Sequence, residues 1–213
     1  MRFIKGSTLV ALGAALALTA TPAPTVAAQT IDVGTYSGSG CCGGTFLGTR
    51  GFWFVAPVAF QITGLSLPSN GTNGSLEVLR FNSPPPTYSN TTNDFTSLFY
   101  SAFTSASVSI NVSAGDMIGI LGYDGDNAFT PYSNSNGPYA SSIFGNATTL
   151  NRLGFQSLGT AHDVWTEAPG TLGFINVDYD VAGSTVPEPA TMTLLATGLV
   201  AMGAARRRKK NAA

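Results

Sequence analysis

Two cysteines stand side by side, Cys41 and Cys42, inside the stretch GSGCCGGT. Neighbouring Cα atoms lie about 3.8 Å apart across a trans peptide, below the roughly 4.4–6.8 Å of ordinary disulfides. Joining the two demands a distorted linkage that the flanking glycines would have to permit. A strained or loosely held pair in one loop, a cross-link between chains, and redox or metal chemistry all stay open. A zinc-type site would need about four ligands, and no further cluster of Cys or His supplies the others.

The lone histidine, His162, sits in AHDVWTE beside Asp163 and near Glu167. A Ser-His-Asp hydrolase would also need a positioned nucleophile, and no G-x-S-x-G elbow is present. A surface or edge-strand histidine is therefore expected. The acidic stretch DGDN offers Asp124, Asp126 and Asn127 as closely spaced oxygen ligands for a structural Ca²⁺, without the remaining ligands of an EF-hand. Asp178 and Asp180 alternate along one strand, which places them about 7 Å apart, inside the range of an inverting glycosidase pair. Alternation alone produces that spacing, so a solvated strand face is the expectation. A hydrolase built from Asp124, Glu167, Asp178 and Asp180 would need them to share a cleft. Among the aromatics, Tyr132, Tyr139 and Trp165 are the candidates for stacking on a sugar, with Phe129 in the same loop as the two tyrosines. Trp53 lies in the most apolar run, which predicts core packing.

The composition says what must position these groups. Between Gln29 and Thr185 there is no lysine, and three arginines (Arg50, Arg80, Arg152) face ten carboxylates, a net of −7. Such a span repels phosphate backbones, so no nucleic-acid partner is expected. Gly, Ser, Thr and Asn abound and no 3.6-residue apolar period is sustained, which points to short strands and turns. Phe52–Val55 reads as a strand stopped by Pro57. Phe60 and Ile62, then Leu65 and Leu67, read as another with a bulge near Gly64. The turn SNGTNG predicts a hairpin joining that strand to SLEVLRF. NSPPPTYSNTTND is expected as an exposed loop, and DGDNAFTPYSNSNGPYA as a second irregular region. VSINV and MIGILGY predict two strands, the latter apolar on both faces and hence central. In the last strand Ile175, Val177, Tyr179 and Val181 face one way. Eight to ten strands of this kind indicate an all-β, antiparallel sandwich, jelly-roll-like, with no internal repeat.

Both ends of the chain fall outside that body. Arg2 and Lys5 precede an apolar run from Leu9 to Ala20, with small residues at Val26-Ala27-Ala28, the pattern of a secretory signal peptide over residues 1–28. The domain spans 29–185. The tail, 186–213, opens on Val186-Pro187-Glu188-Pro189. Next come the uncharged residues Ala190 to Ala205, about 24 Å as a helix against a hydrocarbon core of about 30 Å. Arg206, Arg207, Arg208, Lys209 and Lys210 would then hold the end in the cytoplasm.

Motif, short hydrophobic segment and basic cluster, in that order, resemble the PEP-CTERM sorting signal. The resemblance implies processing at Val186 to Pro189 by an exosortase, a membrane-embedded cysteine protease of exopolysaccharide-producing Gram-negative bacteria. It also implies secretion machinery as a partner, transient anchoring in the inner membrane, delivery to the cell surface or extracellular matrix, and frequent glycosylation. GFWFVAPVAFQITGLSLP and VSAGDMIGILGY resemble the β-sandwich bodies of such proteins. Five N-x-S/T triplets, at Asn70, Asn73, Asn90, Asn111 and Asn146, read as exposure rather than modification. No catalytic residue and no cofactor beyond the Ca²⁺ alternative is expected. The leading reading is a non-enzymatic structural or adhesive protein; a carbohydrate-binding module is the alternative, and a glycoside hydrolase ranks below both.

Overall fold

The computed structural model describes residues 29–39, 48–68, 72–125 and 131–182. The signal sequence, Cys41, Cys42, Asp126, Asn127, Phe129 and the tail from Val186 to Lys210 lie outside the described residues. Within them no helix is long and apolar enough to cross a membrane.

The described residues are all-β. In chain order the strands are β1 (Gln29–Thr30), β2 (Tyr36–Ser39), β3 (Thr49–Val55), β4 (Phe60–Ser66), β5 (Gly74–Phe81), β6 (Phe95–Ser101) and β7 (Ser105–Val112). They continue as β8 (Met117–Asp124), β9 (Pro131–Gly137), β10 (Tyr139–Ile143), β11 (Asn146–Phe155), β12 (Trp165–Glu167), β13 (Gly170–Gly173) and β14 (Asn176–Val181). A four-stranded sheet runs β1-β14-β4-β7, and a larger one runs β10-β11-β3-β8-β5-β6 with β12 added beside β11. A third sheet, β13-β9-β2, completes the set, and every strand pair is antiparallel.

Alternation along each strand builds two cores. Phe52 and Phe54 of β3, Leu76 and Val78 of β5, and Ile118 and Ile120 of β8 face the four-stranded sheet, where Phe60, Ile62, Val177 and Tyr179 meet them. The opposite face of the large sheet is also apolar at Leu79, Phe81, Leu121, Leu153 and Phe155. Segments 82–94 and 156–169 cover it, contributing Val164 and Trp165. β8 is buried nearly throughout because both faces are covered, as its continuous apolar run predicted.

Three expectations need correction. β4 and β5 do not form a hairpin: β4 pairs with β14 and β7, whereas β5 pairs with β8 and β6, so the turn between them crosses from one sheet to the other. The region after Asp124 is not irregular throughout, since Pro131–Gly137 and Tyr139–Ile143 are β9 and β10. β9 has no apolar period, and its flanking strands β2 and β13 supply the pairing instead. The terminal strand is split, with Gly170–Gly173 joining β9 and Asn176–Val181 joining β4. The bulge near Gly64 is present as a register shift between Ile62 and Gly64.

One side of the sandwich is laced shut. The Tyr139 hydroxyl donates to Asp32 Oδ2 at 3.2 Å, and Ser141 donates to the Asp32 carbonyl at 2.7 Å. Tyr179 Oη donates to Gln29 Oε1 at 3.0 Å and accepts from the Phe144 N–H at 3.4 Å. On the other side, β6 and β7 are edge strands, and each pairs inward through a register shift. Bulges of this kind discourage edge-to-edge pairing in place of charges, which neither strand carries.

Candidate functional site

The sequence-nominated aromatics are not brought together. Tyr132 lies on β9 and is 3 % exposed, with the Arg152 guanidinium 5.7 Å from its ring centre. Trp165 is 5 % exposed in the outer core, with the Arg50 guanidinium 5.3 Å and the Tyr88 ring 5.2 Å away. Burial removes both as sugar contacts. Tyr139 is half-buried and its hydroxyl is committed to Asp32.

The carboxylates are equally dispersed. Asp178 and Asp180 stand on the outer face of the four-stranded sheet, where Thr30 Oγ1 donates to Asp178 at 2.9 Å. Glu167 is paired with Arg152 at 2.8 Å on the large sheet. Asp124 is fully buried at the end of β8. Burial first, and the Asp124 charge second, push the phenols of Tyr36 and Tyr123 up. Among the described residues no three His, Cys, Asp or Glu side chains are grouped as a metal would require. His162 is exposed, its ring is tilted against that of Phe155 with centres 5.4 Å apart, and it lies 3.2 Å from Asp163. Asp163 in turn clamps Asn93 of the facing segment through two hydrogen bonds of 2.9 and 2.8 Å. The Asn93 amide, then His162, hold the Asp163 carboxyl below its usual range.

A second buried acid is Glu77, 3 % exposed on β5. It accepts from Ser97 Oγ and from the Ala161 N–H, both at 2.7 Å, and so pins segment 156–169 to the sheet. Burial pushes its carboxyl up, and those two hydrogen bonds oppose the rise. A carboxyl whose folded pKa is raised favours the fold most when protonated. Its contribution therefore declines as pH rises from the unfolded value through the folded one. Glu77→Gln keeps both contacts, with the amide donating to Ser97 and its oxygen accepting from Ala161. Urea midpoints measured between acid and neutral pH should show the variant gaining on the wild type as pH rises; a constant difference would contradict the linkage.

A feature the sequence reading missed lies on the outer face of the large sheet. Trp53 on β3 points away from the main core, opposite Asn151 of β11, and packs partly buried against the second core, so the expected core packing holds for one part of the ring. With Val55, Ala147, Thr148, Thr149, Asn151 and Pro57 it lines a shallow depression of about 350 Å³. Its indole is held in place: Nε1 donates to Thr166 Oγ1 at 3.0 Å, and that hydroxyl donates to the Arg152 carbonyl at 2.8 Å. Strand parity was the available signal, because Phe52 and Phe54 facing inward leave Trp53 facing out. A second depression, of about 360 Å³, lies along β4 and β7 with Asp178 and no aromatic residue.

A compact antiparallel body followed by a proline-bracketed motif, an apolar run and a basic end defines an exported β-sandwich protein with a C-terminal sorting signal. Residues 185–209 match the family described as the PEP-CTERM protein-sorting motif, so the chain carries that signal and the exosortase processing it implies. The sandwich lies outside the matched residues. No curated protein and no solved structure matches the chain.

Proposed function

We propose that the processed protein is a non-enzymatic component of the cell surface or extracellular matrix, structural or adhesive in role and associated with exopolysaccharide. The observation that carries this reading is the sorting motif at residues 185–209, attached to a body whose described carboxylates are spread over different sheets rather than gathered in one cleft. The fold supports display. β1 and β14 are neighbours, with Gln29 opposite Tyr179, so the chain enters and leaves the sandwich on adjacent strands.

Deleting Val186 to Ala213 tests the reading. In a host with the sorting machinery, the full chain should yield a surface or matrix form whose intact mass lacks both ends. The deleted form should leave the cell without being retained at the surface. Unchanged localisation of the deleted form would overturn the proposal. The same mass spectrum reports any attached glycan and the state of Cys41 and Cys42.

A further inference from the structure

We propose that the depression around Trp53 binds a single sugar ring of an uncharged polysaccharide. The inference rests on the reading above of a polysaccharide-associated protein and assigns that association a place and a ligand class. Three properties of the site carry it.

The first is the fixed aromatic surface. An indole packs well against the C–H face of a pyranose, and one already tethered at its N–H loses little freedom on binding. Trp53 meets that condition through Thr166, whose own position is set by the Arg152 carbonyl. The second is the lining. Next to the indole stand the Asn151 amide and the Thr149 hydroxyl, groups that exchange hydrogen bonds with sugar hydroxyls, and a volume of about 350 Å³ suits one ring rather than a buried oligosaccharide. The site lies over β3 and β11, beside the covering segment that carries Thr166.

The third is charge. Among the described residues no ionisable side chain lines the depression. The surrounding span carries −7, and its arginines are already engaged: Arg80 with Asp116, Arg152 with Glu167, and Arg50 with the Phe155 carbonyl. A uronic or sulfated polymer would meet a repulsive field and no cation to bind its acids. The depression beside Asp178 has similar volume but offers a carboxylate and no ring, which makes it an internal control.

Affinity electrophoresis of the mature protein recovered after export tests the proposal. The gels would contain dextran, laminarin, hydroxyethyl cellulose or galactomannan as neutral polymers, and alginate as the anionic one. At least one neutral polymer should retard the protein and alginate should not. Trp53→Ala should weaken retardation about tenfold or more, as expected for loss of a central aromatic contact. Trp53→Phe should keep part of it, Asn151→Ala should weaken it, and Ser107→Ala beside Asp178 should leave it unchanged. Circular dichroism checks each fold, and Asn151→Ala decides should Trp53→Ala fail to fold. Retardation by alginate alone, by no polymer, or undiminished in folded Trp53→Ala or Asn151→Ala would overturn the assignment. The two readings fail separately: a failed site leaves an exported protein that runs freely, whereas failed sorting leaves a missorted protein that is still retarded.

Discussion

Gly51→Ala is expected to cost more than about 3 kcal/mol and to leave little folded protein at physiological temperature. A Cβ at this position would collide with the Ile120 carbonyl oxygen and stand 3.0 Å from the Leu121 Cα, both of them backbone atoms that cannot rotate away. β3 pairs on one side with β8 and on the other with β11, so the strand cannot shift without breaking a ladder. The neighbouring element is as close, since a Cβ on Gly173 would lie 2.6 Å from the Gly51 Cα. Ordinary overpacking costs about 1–3 kcal/mol, and a clash between fixed backbones belongs above that range. Against a total stability of about 5–15 kcal/mol for a domain, the loss is large. Urea denaturation followed by circular dichroism would measure it. Ser109→Ala, on the exposed side of β7, should stay within about 0.5 kcal/mol and serves as reference.

Phe60→Ala is expected to destabilise the sandwich by about 3–5 kcal/mol. Phe60 is fully buried and joins a series of rings that crosses the main core. Its ring centre is 6.3 Å from Phe54 of the large sheet and 5.8 Å from Tyr179 of its own sheet. Beyond them lie Phe52, 6.3 Å from Phe54, and Phe144, 5.0 Å from Tyr179. Truncation opens a cavity where the two sheets meet, and neither sheet can close on it without distorting its own ladder. Phe60→Leu, which keeps most of the volume, should lose considerably less. A cycle pairing Phe60→Leu with Tyr179→Leu should give a coupling of about 0.5–1.5 kcal/mol, the range of edge-to-face aromatic pairs. Additive losses would mean that the rings act only by filling space.

The sequence revealed strands wherever side chains alternated against a core. The Phe60, Ile62 and Leu65 series, the β8 run, and the Val177 and Tyr179 face are all present where the pattern placed them. Legibility ended where pairing depended on distant partners. Nothing in YSNSNG announces that β2 and β13 will flank it, and a Gly-Asn turn does not say whether the next strand returns to the same sheet. The sorting signal was legible because its three parts are contiguous. The Trp53 depression was not, because it depends on Thr148, Thr149 and Asn151 arriving from a strand roughly a hundred residues away in the chain. Reading candidate aromatics from the sequence favoured Tyr132 and Trp165, which the third sheet and the covering segments bury.

The engagement of all three arginines bears on how long the protein lasts outside the cell. Trypsin-like proteases need a lysine or arginine in an extended, accessible segment, and from Gln29 to Thr185 the only such residues are Arg50, Arg80 and Arg152. Each sits inside a strand with neighbours on both sides, and Arg50 is buried. Digestion of the processed protein by such an enzyme would find each of these arginines held within a paired strand. A surface without lysine also offers side-chain-directed amine cross-linkers nothing to attack, so persistence in a protease-rich medium is written into the same composition that gives the body its negative charge.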